Sequence, residues 1–205
     1  MILWDVDTQV DFMLPEGKLY VPGAEETAPA MRRLVRAASE AGIVHVASAD
    51  DHELTDPEIA DDPDFVNTYP PHCLRGTRGA AKIPETEQED PLPLSLIPYP
   101  PGILPSLVAG RREILLLKKN FNVFTNPNAE PLLEALGPGE ILVFGVATDV
   151  CDDAAIRGFL QRGRRVVFVE EAARGLDEER TASCLAFWRE AGVRFASVDE
   201  ALALV

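Results

Sequence analysis

Basic residues are scarce in this chain: Lys and Arg number 19 among 205 residues, against 34 Asp and Glu, for a formal net charge of −15. That deficit disfavours the phosphate backbone of nucleic acid and an anionic membrane face as partners. Long hydrophobic runs are missing too; none approaches the ~18 residues that a membrane-spanning helix needs. Cysteine is sparse: Cys73, Cys151 and Cys184 cannot all pair, and no Cys-x-x-Cys occurs. No disulfide framework is expected, and the simplest setting is a reduced, cytoplasmic one. The first residues meet acid at Asp5 without a basic stretch, which predicts no secretory signal. Histidine is equally rare, with only His45, His52 and His72.

What is present has the balance of a soluble globular protein, 46% apolar and 26% charged, in a length that suits one domain spanning 1–205 with a full core. Strand and helix patterns alternate. Apolar runs at 2–6, 43–49, 114–117, 141–147, 166–169 and 193–198 read as strands buried on both faces. Helical patterns at 26–41, 128–136, 149–161 and 177–191 lie between or after them, and glycine follows each: Gly42, Gly137, Gly163 and Gly192. Strand, helix, glycine, strand calls for an α/β fold with a mostly parallel sheet of about six strands in a three-layer α/β/α sandwich. The exception is a loop insertion at about 50–110. Its first part, 50–64, holds eight carboxylates and no Lys or Arg, and its later part, 84–105, holds seven of the 17 prolines. So long a stretch without periodicity is usually functional, and leaving the second strand's carboxyl end it can cover a site there.

Several strand ends carry reactive residues. The first runs into Asp7, the second into Asp50 and His52, the third into Lys118, and the fourth is followed by Cys151. If the strand readings hold, all of them share one rim of the sheet. The motifs D-T-Q-V-D-F at 7–12, D-D-H at 50–52, Y-P-P-H-C-L-R-G-T at 69–77, K-K-N-F-N-V-F at 118–124 and G-V-A-T-D-V-C at 145–151, taken in this order, resemble the isochorismatase-like cysteine hydrolases. Within that family the P-P-H-C string is similar to that of the nicotinamidases.

The resemblance implies a catalytic triad of Asp7, Lys118 and Cys151. It implies a divalent metal on Asp50, His52 and His72, zinc in first place with iron or manganese open. It further implies a cis peptide between Val146 and Ala147, an oxyanion hole from the N–H groups of Ala147 and Cys151, and Phe12 and Tyr69 as walls for a substrate ring. The implied reaction is hydrolysis of a small amide, nicotinamide first, through a Cys151 thioester, in a homo-oligomer (dimer or tetramer). The alternatives are a ureido or other small-amide hydrolase of the same family, or a non-catalytic metal-binding protein of the same fold.

Elementary chemistry fits these roles. A free thiol titrates near ~8.5 and only its thiolate attacks. A helix start and the Lys118 charge are expected to favour the thiolate, and Asp7 can accept a proton and return it to ammonia. Asp11 is the rival to Asp7, and Lys119 to Lys118. Cys73, Cys184 and His45 read as core residues. The chain departs from the family pattern with Asn122 and Val123 in place of Ser-Ala, Asp51 in place of Trp, and Tyr69 in place of Trp.

Overall fold

The computed structural model describes residues 1–100 and 102–205. Among them, seven strands form one parallel sheet. In chain order they are β1 (Ile2–Val6), β2 (Val44–Asp50), β3 (Leu92–Leu94), β4 (Glu113–Lys118), β5 (Glu140–Val146), β6 (Arg165–Arg174) and β7 (Arg194–Ala196), and in space they run β3-β4-β2-β1-β5-β6-β7. The flanking helices are α1 (Val10–Met13), α2 (Ala28–Ala41), α3 (Leu104–Val108), α4 (Ala129–Leu136), α5 (Asp153–Gln161), α6 (Glu178–Glu190) and α7 (Val198–Leu202).

Side chains alternate across a strand, and β1 shows what each face buries. Ile2, Trp4 and Val6 point into a core shared with Leu132, Ile156, Phe159 and Trp188 of α4, α5 and α6. Leu3 points the other way, among Met13, Met31, Leu34 and Val198 of α1, α2 and α7. The three expected layers follow. No helix among the described residues is long and apolar enough to cross a membrane.

The structure departs from the sequence reading in three places. The sheet has a further strand, β3, which hides in the proline-rich segment because it is three residues long and contains Pro93. It lies at the edge beside β4, where a missing N–H is tolerated. The insertion is also not uniform: residues 52–74 fold back so that His52 pairs with Leu74, and Lys82 pairs antiparallel with Gln9. Finally, the helix expected at 149–161 begins with one turn of π-helix, Thr148–Asp152, before α5.

The β1–β5 seam explains one glycine of the G-V-A-T-D-V-C motif. Gly145 sits opposite Val6 where the β5–β6 register shifts. Its φ is +139°, and a Cβ there would lie 2.1 Å from the Val6 carbonyl oxygen. No side chain fits so close a backbone approach.

Candidate active site

The strand order does most of the assembly. Strands β4, β2, β1 and β5 are neighbours, and their carboxyl ends deliver Lys118, Asp50, Asp7 and, after the π turn, Cys151. Asp50 and Lys118 are register partners across β2 and β4, so the two side chains leave the same face of the sheet. Asp7 needs a different device. By alternation it would follow Leu3 and Asp5 to the α2 side, yet its φ is +50°, and the turned backbone brings its carboxylate to Ser48 and Lys118. The Ser48 hydroxyl donates to Asp7 Oδ1 at 2.7 Å.

The Lys118 ammonium is fully buried. Its Nζ lies 2.8 Å from Asp7 Oδ2 and 2.5 Å from Asp50 Oδ1, and 3.8 Å from Cys151 Sγ. Burial alone would lower its pKa, but the two carboxylates hold it well above the usual lysine value. The carboxylates are driven apart. Burial raises Asp7, with the Asp50 charge adding to it, and Lys118 only partly offsets this. Burial also acts against ionised Asp50, but Lys118 and the His52 and His72 imidazoles hold it well below the ordinary range. One carboxylate stays ionised while its neighbour gains proton affinity, a division suited to acid–base work.

The thiol is held protonated chiefly by its burial. Burial pushes Cys151 well above its ordinary value, Asp7, Asp50 and Glu58 push it further, and Lys118 opposes them without prevailing. Lys118 acts in the expected direction, toward the thiolate, but does not overcome the burial of the sulfur.

Beside this cluster is a group that could hold a metal. Asp50, His52, Glu58 and His72 are all buried, and each offers an atom within 4.8 Å of the others'. Asp50 Oδ2 lies 3.7 Å from His52 Nε2 and 3.5 Å from His72 Nε2, and His52 Nε2 lies 3.9 Å from Glu58 Oε1. Ligands about 2.1 Å from one tetrahedral cation stand roughly 3.4 Å apart, so the donors fit around a single ion. Asp50 Oδ2, His52 Nε2 and His72 Nε2 are buried without a hydrogen-bond partner. Such orphaned donors and acceptors call for an occupant. His72 Nδ1 sits 2.7 Å from the Pro70 carbonyl, which fixes the ring with Nε2 facing the group.

Glu58 is absent from the sequence reading. Its Oε2 accepts from the Phe121 N–H at 2.7 Å, and nothing in the acidic run marks it off from seven other carboxylates. Gln9 was passed over as well. Its side chain clamps the Asp50 backbone, accepting from the N–H at 2.7 Å and donating to the carbonyl at 2.8 Å.

The rival residues are engaged elsewhere. Asp11 accepts from the Cys73 and Lys18 N–H groups. Lys119 pairs with Asp56 at 2.9 Å near the surface. His45 lies buried beside Asp5. Cys73 is buried with its Sγ directed at the Gly79 carbonyl, and Cys184 is half-buried on α6. The Val146–Ala147 peptide is cis. The Ala147 carbonyl accepts from Val150 and Asp152 N–H, which closes the π turn.

Phe12, Tyr69, Phe121, Val150, His72 and Cys151 line a small cavity of about 20 Å³, room for about one water. The Phe12 and His72 ring centroids are 5.2 Å apart, and those of Tyr69 and His72 are 6.2 Å apart. Tyr69, Phe121 and Val150 also line an outer groove of about 660 Å³. These three residues line both spaces.

A family model described as the isochorismatase domain matches residues 2–200. The chain is 27% identical over 191 residues to a nicotinamidase/pyrazinamidase of Mycobacterium tuberculosis, covering 92% of this chain and 94% of that one. The crystal structure of a pyrazinamidase of Pyrococcus horikoshii in complex with zinc superposes with a TM-score of 0.75 at 22% identity, covering 96% and 98% of the two chains. The N-carbamoylsarcosine amidase from Thermoplasma acidophilum gives 0.73 at 22% identity, covering 97% and 96%. At such identity these two likenesses speak to the fold.

Proposed function

The chain belongs to the isochorismatase family, whose model spans residues 2–200, and from that premise we propose that it is a metal-dependent cysteine amidohydrolase converting nicotinamide to nicotinate and ammonia. One observation carries the reading: a single buried ammonium, Lys118, touches both Asp7 and Asp50 and stands 3.8 Å from the Cys151 sulfur.

In the proposed reaction Cys151 Sγ attacks the amide carbon while Asp7 takes the thiol proton. With the thiol pushed up by burial, the proton leaves as the sulfur bonds to carbon, and the raised proton affinity of Asp7 helps it accept. The N–H groups of Ala147 and Cys151 hold the oxyanion. The tetrahedral species collapses, Asp7 returns the proton to the leaving nitrogen, and ammonia departs from a thioester on Cys151. Water, its proton taken by Asp7, then attacks the thioester carbon. The C–S bond breaks, Asp7 returns the proton to the sulfur, and the acid leaves as nicotinate with its proton lost to solvent. Lys118 stays protonated throughout and offsets the negative charge beside it.

Asp50, His52 and His72 would hold the divalent metal, with the Glu58 carboxylate beside them, which leaves a position open for substrate. When bound, the metal supplies a positive charge beside Asp50 and a coordination position for a substrate ring nitrogen. Phe12 and Tyr69 flank the ring and exclude water.

Ammonia release from nicotinamide by the metal-loaded protein, lost in Cys151→Ala, tests the reaction. The metal group is tested apart from turnover. Elemental analysis is expected to find a divalent ion in about one-to-one ratio to the chain, absent from His52→Ala and His72→Ala. Glu58→Gln is expected to weaken its affinity roughly 10- to 100-fold. Unchanged metal content in both histidine variants would move the ligands elsewhere.

A further inference from the structure

A second buried ion pair, Asp5 with Lys82, lies outside the groups already described. Asp5 sits mid-strand in β1 and is fully buried, an expensive place for a carboxylate. Lys82 Nζ is 2.8 Å from Asp5 Oδ2, with only 9% of the Lys82 side chain exposed. Burial acts against ionised Asp5, but Lys82 and His45 hold it below the ordinary range, so it remains a carboxylate.

The pair grips Asp7 from two sides. Lys82 Nζ donates to the Ser48 carbonyl at 3.3 Å. The same carbonyl accepts from the Asp7 N–H at 3.3 Å, and the Ser48 hydroxyl holds Asp7 Oδ1 at 2.7 Å. On the other side, Asp5 Oδ1 accepts from the hydroxyl of Thr8, the residue after Asp7, at 2.8 Å. The Lys82 segment pairs with the same stretch of backbone: Ile83 N–H donates to the Thr8 carbonyl and Val10 N–H to that of Ala81. Asp7 needs such a grip. Its φ of +50° lies where non-glycine residues stay only when their surroundings hold them.

We propose that Lys82, anchored by Asp5, is a positioning residue that acts through Ser48 and Thr8 to keep the Asp7 carboxylate aimed at Lys118 and Cys151. The inference rests on the reading of Asp7 as the proton acceptor. A pair that only filled space could be replaced by neutral side chains without touching turnover.

The test compares wild type, Lys82→Met, Asp5→Asn/Lys82→Met and Asp7→Asn as full-length, metal-loaded protein. Lys82→Met leaves Asp5 buried without its counter-charge and is expected to lower Tm. The double variant removes both charges and is expected to recover most of that loss. Its kcat for ammonia release, per Cys151 that iodoacetamide can titrate, is nevertheless expected to stay at least about tenfold below wild type, with KM within roughly twofold. The initial rate of Cys151 alkylation at fixed pH is expected to fall in step, and this readout does not depend on which amide is the substrate. A double variant with wild-type kcat and wild-type alkylation overturns the positioning role. If Asp7→Asn is inactive in that case, the base assignment survives and the positioning role alone fails. If Asp7→Asn turns over normally, the base assignment fails and takes this inference with it.

Discussion

Lys118→Met is expected to abolish turnover and cost the fold about 3–5 kcal/mol, whereas Lys119→Ala is expected to leave turnover intact and cost at most about 1 kcal/mol. The two lysines are adjacent and chemically alike, so the contrast comes from their surroundings. The Lys118 side chain is fully buried and stands between Asp7 and Asp50; removing it leaves two carboxylates in a dry site with no ammonium between them. Lys119 is a quarter exposed and makes an ion pair with Asp56 at 2.9 Å, a pair that solvent screens. The pH dependence follows from the shifts. Lys118 is raised above 10.5, so its contribution is fully present below that unfolded value and is lost only at still higher pH. Asp50 is depressed below 3.8, so its contribution is present above that value and lost as pH falls through the depressed one. The stability gap between wild type and Lys118→Met is therefore expected to stay level across neutral pH and to narrow in acid. Urea midpoints from neutral pH down to the carboxylate range, with ammonia release at neutral pH, decide this. A harmless Lys118→Met beside a dead Lys119→Ala would shift the lysine assignment by one residue.

The rim on which these groups meet was legible in the sequence because it needs only strand ends. A β-branched run followed by Asp, Lys or a Gly-x-x-x-x-x-Cys turn places a side chain at the carboxyl edge whatever the strand order. Register was not legible, and register makes Asp50 and Lys118 direct neighbours. Nor was the turn at Asp7, since a left-handed aspartate has no signature of its own. Burial of the strand as a whole was read from the run at 2–6, but that run concealed a charge, and Asp5 finds its counter-charge in Lys82 only through tertiary folding. How strongly the Cys151 thiol is raised was not legible for a related reason. Burial of the sulfur acts most strongly against the thiolate, and that burial, like the Lys118, Asp7, Asp50 and Glu58 charges around it, comes from segments far apart in sequence. Glu58 itself was lost among similar acids, and β3 was too short and too proline-rich to register. Local pattern fixes elements and their ends; the electrostatics of a site depends on which ends come together.

Nicotinamide is expected to be hydrolysed at least about tenfold better than benzamide in kcat/KM, at ~1.4 kcal/mol per decade, with the difference disappearing when the metal is removed by chelation. The two amides have nearly the same shape and differ at the ring nitrogen. Phe12, Tyr69 and Phe121 line the cavity with aromatic surface, and stacking or dispersion against such walls hardly separates the two rings. What can separate them lies on the side where Asp50, Glu58 and His72 line the same cavity, because the group that would hold the cation is there. A coordination position offered to a ring nitrogen rewards nicotinamide and leaves benzamide facing a polar wall it cannot satisfy. Without the cation both rings meet the same orphaned imidazole and carboxylate atoms, and the discrimination goes. Chelation is expected to lower the nicotinamide rate toward that of benzamide rather than reduce both in proportion. Steady-state ammonia release from both compounds, with and without chelator, measures it. Equal rates on the metal-loaded protein would reject recognition of the ring nitrogen while leaving the thiol chemistry standing. Release of ammonia from a ureido compound but from neither aromatic amide would keep Cys151, Asp7 and Lys118 in their proposed roles and replace the substrate.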